Sequence, residues 1–306
     1  MRFEVNILGS GSALPILTRN PSSQYVVVQE RHMLIDCGEG TQLQLRKSKF
    51  KFQKINHIFI SHLHGDHYLG LVGLLSTFNL LGRKNPIHIY GPNELKTLLD
   101  LHFKSSQSFL NYSLTFYSTN SDKPEQLYED KVLKVSSFPL KHKIPCCGFI
   151  IREKTKLRSL NPKAIEKHQI PIEYFHNLKL GKDLTINNKL ISNELVTFAA
   201  PKSRSYAYCS DTKYCESIVK EIKNVDLLYH ESTFLEDKKE LANKTYHSTA
   251  LDAAKIAQKS SAKKLLLGHY SARYNSIAEF EKEAKTIFNN VIAVKDGDTF
   301  EIEIVK

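Results

Sequence analysis

From Ser61 to His67 the chain reads Ser-His-Leu-His-Gly-Asp-His, so three imidazoles and a carboxylate fall within six consecutive residues, directly after the apolar run Ile58-Phe59-Ile60. Imidazole nitrogen and carboxylate oxygen are the donors that divalent ions of zinc type take. In extended backbone, side chains at i and i+2 project to the same side, so His62 and His64 can grip one ion. Gly65 permits a turn that swings Asp66 and His67 towards a second. Two neighbouring metal ions are the chemistry this spacing points to; the plain alternative is a polar loop that happens to be histidine-rich.

Stepping outward from that loop, short apolar strands repeatedly end at a chemically capable residue. Val132-Leu133-Lys134-Val135 leads to His142, Tyr206-Ala207-Tyr208-Cys209 to Asp211, Val225 through Tyr229 to His230-Glu231, and Lys264 through Gly268 to His269. Residues beyond strand ends in α/β sheets gather along one edge, where ligands bind. One shared cleft is therefore expected. Apolar periodicity predicts helices at about 66–81, 93–103, 215–223, 249–259 and 276–289, the fourth with Thr249 as its cap and Asp252 at the reciprocal position. Met1 to Leu8 alternates like a first strand, with no signal-peptide block.

The chain has 306 residues, which suits one large domain, residues 1–306, with an insertion. At 41% hydrophobic and 25% charged it has the composition of a globular protein, neither disordered nor membrane-embedded. The longest apolar run, Leu69 to Leu81, is interrupted by Ser76, Thr77 and Asn79 and falls short of the roughly 20 residues that a bilayer needs. No membrane association is expected. Five cysteines without a CxxC pair give neither a disulfide framework nor a cysteine zinc site, and suit a reducing cytoplasm. Lysine and arginine exceed acidic residues 43 to 32, which favours a polyanionic partner. Residues 152–194 hold nine Lys/Arg against five Asp/Glu. That segment reads either as a surface loop or small helical subdomain, or as an arm that contacts a polyanion.

The His-x-His-x-Asp-His cluster, with His142, Asp211 and His269 downstream, resembles the metallo-β-lactamase superfamily. More narrowly, Leu8-Gly9-Ser10-Gly11-Ser12, Pro15 through Arg19-Asn20, Leu34 through Gln42, His230-Glu231-Ser232-Thr233-Phe234 and His247-Ser248-Thr249-Ala250 look like the ribonuclease Z family of tRNA 3′-processing endonucleases. The resemblance implies an α/β protein with the metallo-β-lactamase fold, a four-layer αβ/βα sandwich, and an inserted protruding arm at 152–194 that binds tRNA. It implies that His62, His64 and His142 hold one metal, that Asp66, His67 and His269 hold the other, and that Asp211 bridges them. Two Zn2+ per subunit are expected, with Mn2+ or Fe2+ also suited to a mixed N/O donor set. Asp66 can take the proton of the attacking water; His247 is the implied proton donor to the departing ribose 3′-oxygen, with Glu231 as its partner. The substrate would be precursor tRNA, cut to leave a 3′-hydroxyl on the tRNA and a 5′-phosphate on the trailer, by a homodimer whose arms serve each other's substrate.

Two departures stand out. Family members commonly carry a lysine in the loop where this chain has Leu17, and a Gly-Pro motif in the arm where it reads Ile170-Pro171-Ile172-Glu173-Tyr174-Phe175. Two other readings compete: a small-molecule hydrolase of the same superfamily, and an RNA-binding protein with a vestigial metal site. The basic arm and the His247/Glu231 pair argue against the first, and seven intact ligand positions against the second.

Overall fold

Two mixed seven-stranded sheets face each other in the computed structural model, which describes residues 1–186 and 188–304. The first runs in the order Thr299–Glu301, Phe3–Gly9, Ser23–Val28, Arg31–Cys37, Ile55–Phe59, Ile87–Gly91, Leu114–Ser118. The second runs Val291–Ala293, Lys264–Gly268, Leu227–Glu231, Ser205–Cys209, Cys147–Glu153, Leu133–Pro139, Glu125–Glu129. Between them lies a core that includes Phe3, Val26, Ile35 and Phe59 from one sheet and Val135, Phe149, Tyr206 and Tyr229 from the other. Helices Thr41–Lys47, Gly70–Leu80 and Asn93–Ser105 cover the outer face of the first sheet through residues such as Leu45, Leu74, Phe78 and Leu95. Helices Ala250–Lys259 and Ala278–Lys285 cover the second through Ala253, Ile256 and Phe280. This is the four-layer αβ/βα sandwich. The central strands are buried on both faces, which is why their sequences read as continuous apolar runs.

Three predicted elements take a different form. The helix expected at 66–81 is two, Gly65–Tyr68 and Gly70–Leu80, joined at Leu69. At the join the backbones of Gly70 and Gly38 approach so closely that a Cβ on Gly70 would stand 2.1 Å from the Gly38 carbonyl oxygen. Only glycine allows that contact, and it locks the helix onto the loop after Arg31–Cys37. The helix expected at 215–223 is a correction: Glu216–Ile218 forms a single 3₁₀ turn followed by further turns, with Val219 N–H donating to Glu216 and Glu221 N–H to Ile218. Its apolar residues Ile218 and Ile222 face the core in either geometry, and β-branching at 218, 219 and 222 weakens the α-helical choice. The last helix ends early, at Lys285. By contrast, Thr249 caps Ala250–Lys259 with Asp252 in the expected reciprocal box.

The basic insertion is a folded unit. Helices Pro162–Lys167, Phe175–Lys179 and Asn193–Val196 and the hairpin Leu184–Ile186/Lys189–Ile191 enclose a small core of Ile170, Leu178, Leu184, Ile191 and Val196. Asn187, within the predicted arm, lies outside the described residues. Arg152 and Glu153 belong to the sheet strand Cys147–Glu153, so the unit leaves the sandwich just after them. At its base, buried Glu153 accepts hydrogen bonds from Arg204 Nη2 at 2.8 Å and Nε at 3.0 Å. Arg204 Nη1 donates to the carbonyls of Ile302 (2.7 Å) and Met1 (2.9 Å), tying both ends of the described chain to the same point.

Breaking one partner of this pair strands a buried charge. Glu153→Gln should therefore lower the unfolding free energy by about 3 kcal/mol, seen as an earlier denaturant midpoint. Burial opposes the charge on Glu153, but hydrogen bonding from Arg204 and Lys156 outweighs it and holds the carboxyl at about 2. Its stabilising contribution is thus complete above the ordinary carboxylate range and lost as pH falls towards 2, so the variant should also show a shallower acid unfolding profile.

Candidate active site

The loops after five strands meet at one edge of the sandwich. His62 Nε2 lies 3.2 Å from His64 Nδ1, and His142 Nε2 lies 3.0 Å from the same atom. On the other side His67 Nε2, His269 Nε2 and Asp66 Oδ2 stand 3.2–3.3 Å from one another. Donor atoms bound to one tetrahedral zinc at about 2.0–2.1 Å lie roughly 3.3 Å apart, so both spacings suit ligands of a shared ion. Asp211 stands between the groups. Its Oδ2 faces His62 (3.5 Å) and His142 (3.7 Å), while its Oδ1 faces His269 (3.1 Å) and His67 (3.3 Å). Oδ1 is buried and has no hydrogen-bond partner among the described residues. An orphaned buried carboxylate oxygen aimed at imidazole lone pairs is costly unless a cation completes it.

The electrostatics agree with that reading. Burial pushes His62 down to about 4, leaving its nitrogen lone pair free for a metal at neutral pH. Burial likewise opposes charge on His67, yet Asp66, Asp211 and Asp36 together draw positive charge to that position and raise it. Burial resists ionisation of Asp211, and His269, His67 and His62 overcome it, so the carboxylate stays ionised. The donor set therefore fits divalent metal ions.

His67, His269 and His142 are each held by a partner on the far nitrogen. His67 Nδ1 donates to Asp36 Oδ2 at 2.7 Å, His269 Nδ1 to Thr233 Oγ1 at 2.9 Å, and His142 Nδ1 to the Tyr246 carbonyl at 3.0 Å. Such partners fix the tautomer and aim the other nitrogen inward. Asp36 is itself fully bonded, accepting from Ser61 N–H (2.8 Å), Ser61 Oγ (2.9 Å) and Tyr208 Oη (2.7 Å). Asp36, Tyr246 and His269 all hold left-handed backbone, with φ of 55°, 61° and 62°. That conformation costs about 1 kcal/mol per residue and persists where surrounding contacts enforce it.

Beside these two donor groups lies a second charged device. His247 Nδ1 donates to Glu231 Oε1 at 2.9 Å. Glu231 is fully buried at the end of Leu227–Glu231, and its Oε1 also accepts the Thr212 and Ser248 N–H groups at 3.0 and 3.1 Å. Oε2 accepts from Thr233 N–H and hydroxyl at 2.9 and 2.7 Å. Glu231 thus orients His247 directly and His269 through Thr233. Burial opposes a charged His247, but Glu231 outweighs it and raises the imidazole to about 9. The helix beginning at Ala250 would by itself disfavour that charge. The His247 ring lies 5.2 Å from that of His142 and 5.4 Å from that of His269. All three line one 420 Å³ cavity together with His64, Asp66 and Asp211.

All nine sequence-predicted site residues thus converge: His62, His64, Asp66, His67, His142, Asp211, Glu231, His247 and His269. Sequence reasoning passed over Asp36, Thr233 and the Tyr246 carbonyl. Asp36 did leave a signal, a carboxylate inside the apolar strand Met33-Leu34-Ile35-Asp36-Cys37, where a buried charge demands a partner. Leu17, at the position of the missing lysine, is fully exposed at the tip of the turn Ile16–Arg19. Gly9 packs so closely on Pro21 that a Cβ would collide with its carbonyl, so tight packing accounts for that glycine.

A family model described as anti-Pycsar protein Apyc1 matches residues 3–159. The chain is 43% identical to ribonuclease Z of Bacteroides fragilis over 297 residues, covering 97% of this chain and 98% of that protein. It is 42% identical to ribonuclease Z of Phocaeicola vulgatus over 306 residues, covering 100% and 99%. Among solved structures it resembles the short form of human tRNase Z, with a TM-score of 0.72 and 27% identity over 98% of this chain and 100% of that one.

Two substitutions probe the centre. Asp211→Ala should lose bound metal as well as turnover, because two neighbouring cations would repel without the shared carboxylate; elemental analysis that finds two tightly held ions in the variant would refute the bridging position. Asp36→Asn should fold but bind metal about 10- to 100-fold more weakly, the usual scale for an outer partner of a histidine ligand, as measured by competition with a chelator.

Proposed function

The chain belongs to the ribonuclease Z family, and from that premise we propose a two-zinc phosphodiesterase that removes the 3′ trailer of precursor tRNA. The observation that carries the proposal is one cavity lined by Asp211, with an oxygen towards each ligand group, and by His247, which buried Glu231 holds from behind. The Apyc1 match, residues 3–159, spans His62 to His67 and His142 but stops short of Asp211, Glu231 and His247. It therefore bears on the shared half of the site, while the ribonuclease Z relatives align across the whole of it.

In this reading His62, His64 and His142 hold one ion, Asp66, His67 and His269 the other, and Asp211 both. Bound there, the ions would acidify a water and offset charge gathering on the phosphoryl oxygens. Asp66 stays ionised at the cavity: burial resists this, but His67 and His269 outweigh it. It can accept the attacking water's proton. His247, protonated at neutral pH and held through Nδ1 by Glu231, keeps its Nε2 proton for the departing ribose 3′-oxygen. The tRNA then ends in a 3′-hydroxyl and the trailer begins with a 5′-phosphate.

The insertion after Glu153 serves as the tRNA-binding arm; its own small core lets it project a lysine-rich surface away from the sandwich. Leu43, Leu69, Leu80 and Leu81 are exposed in the helical layer over the first sheet, which supports a homodimer. No helix among the described residues is long and apolar enough to cross a membrane, and all five cysteines are buried and unpaired, in keeping with a reducing cytoplasm.

The direct test incubates the protein with 5′-labelled precursor tRNA and maps the cut at nucleotide resolution; a single cut at the 3′ side of the tRNA body is expected, and scattered or absent cleavage would overturn the assignment. His247→Ala should keep both metals while cleavage slows roughly 10²- to 10⁴-fold. Activity needs the protonated imidazole, so it should fall as pH rises through about 9. In Glu231→Gln the counter-charge is gone, the imidazole titrates lower, and that alkaline limb should move to lower pH. Replacing 154–203 by a short Gly/Ser linker should weaken tRNA binding and flatten the log-affinity against log-salt slope by somewhat under one unit per lost phosphate contact. An unchanged slope would make the insertion a mere surface addition.

A further inference from the structure

Two cationic side chains other than histidine line the cavity, and they neighbour different ligand groups. Lys143 follows His142, so it borders the group formed with His62 and His64. Arg273 is carried by the loop of His269, so it borders the group formed with Asp66 and His67. Both are exposed, and among the described residues neither meets a carboxylate within ion-pair distance. Exposed lysines elsewhere on the chain are often paired, as Lys96 is with Asp100 and Lys263 with Asp226.

The loop that carries Arg273 is braced from beneath. Buried Arg19 donates from Nη2 to the carbonyls of Ser271 (3.3 Å) and Tyr274 (2.8 Å), one at each end of the turn. Tyr274 N–H closes the turn onto the Ser271 carbonyl at 3.2 Å, and Arg273 Nη1 donates to Ser271 Oγ at 3.3 Å. A buried guanidinium spent on two carbonyls is a strong way to fix a surface turn. It leaves the Arg273 fork lining the cavity, with its remaining donors free among the described residues. Beside the other ligand group, the His142 Nδ1 bond to Tyr246 fixes the loop that carries Lys143.

Resting on the phosphodiesterase reading above, we propose that Lys143 and Arg273 each hold one of the two phosphates that flank the scissile phosphodiester, so that the RNA strand crosses the two ligand groups from one cation to the other. The chemistry favours this assignment. The scissile phosphate sits over the metal ligands, and its neighbours along the strand carry one charge each, just outside them. A guanidinium fork and an ammonium are the side chains that pair with phosphate oxygens, and they border the site one per ligand group. Such contacts position the strand without reading its sequence.

The test is a coupling experiment on precursor tRNA carrying one neutral methylphosphonate, placed one linkage to the 5′ or to the 3′ side of the cut. On unmodified substrate, Lys143→Ala and Arg273→Ala should each lower kcat/KM about tenfold, the scale of one lost charge-assisted contact. On the substrate neutralised at the linkage it holds, each variant should show almost no further loss, and the two variants should respond to opposite linkages. The charge-retaining Lys143→Arg and Arg273→Lys should recover part of the loss and show the same linkage preference. Full additive losses at both linkages, with the unaltered enzyme active, would overturn the flanking-phosphate assignment and leave only general attraction. An unaltered enzyme that does not cut precursor tRNA at all would overturn this proposal together with the function it rests on.

Discussion

Two divalent cations a few ångströms apart would repel strongly in a buried site, and in the proposed centre the carboxylate of Asp211 is the group that would offset that repulsion. Its two oxygens address the two ligand groups separately, at 3.5 and 3.7 Å on one side and 3.1 and 3.3 Å on the other. Everything around it serves to hold that carboxylate and its imidazole neighbours in register. The parallel pairing of Ser205–Cys209 with Leu227–Glu231, and of the latter with Lys264–Gly268, sets Asp211, Glu231 and His269 at neighbouring strand ends. Because these strands are buried on both faces, their register is fixed by core packing rather than by the polar residues at their tips.

Around the ligands the same logic repeats with two further buried carboxylates. Asp36 gathers His67, Ser61 and Tyr208, joining both sheets across the core. Glu231 gathers His247 directly and His269 through Thr233, so the proposed proton donor and a proposed metal ligand are anchored to one side chain. That sharing has a physical consequence: a change at Glu231 alters proton supply and ligand orientation together. It also explains why the left-handed backbone at Asp36, Tyr246 and His269 is tolerated, since each of these residues is held by the bonds its own side chain or carbonyl makes.

Much of the site could be read from sequence because its ligands come in short-range patterns or directly follow apolar strands. The His62 to His67 cluster depends only on local spacing, and the capping box at Thr249 and Asp252 is equally local. Asp36 and Thr233 were harder to see, because their roles depend on partners 31 and 36 residues away. The Tyr246 carbonyl leaves no side-chain trace at all. The 216–222 segment shows the limit of periodicity: a single turn closed by Ile222 N–H on the Ile218 carbonyl brings those two residues to one face as an α-helix would. In the insertion, five core residues scattered from Ile170 to Val196 have no single period, so the sequence does not separate a small folded unit from a surface loop.

The bridging carboxylate can be tested directly by anomalous diffraction at the zinc edge from crystals of the zinc-loaded protein. Two maxima are expected, one within bonding reach of Asp211 Oδ2 and the imidazoles of His62, His64 and His142, the other within reach of Asp211 Oδ1, Asp66, His67 and His269. A single maximum, or two that leave Asp211 uncoordinated, would contradict the account.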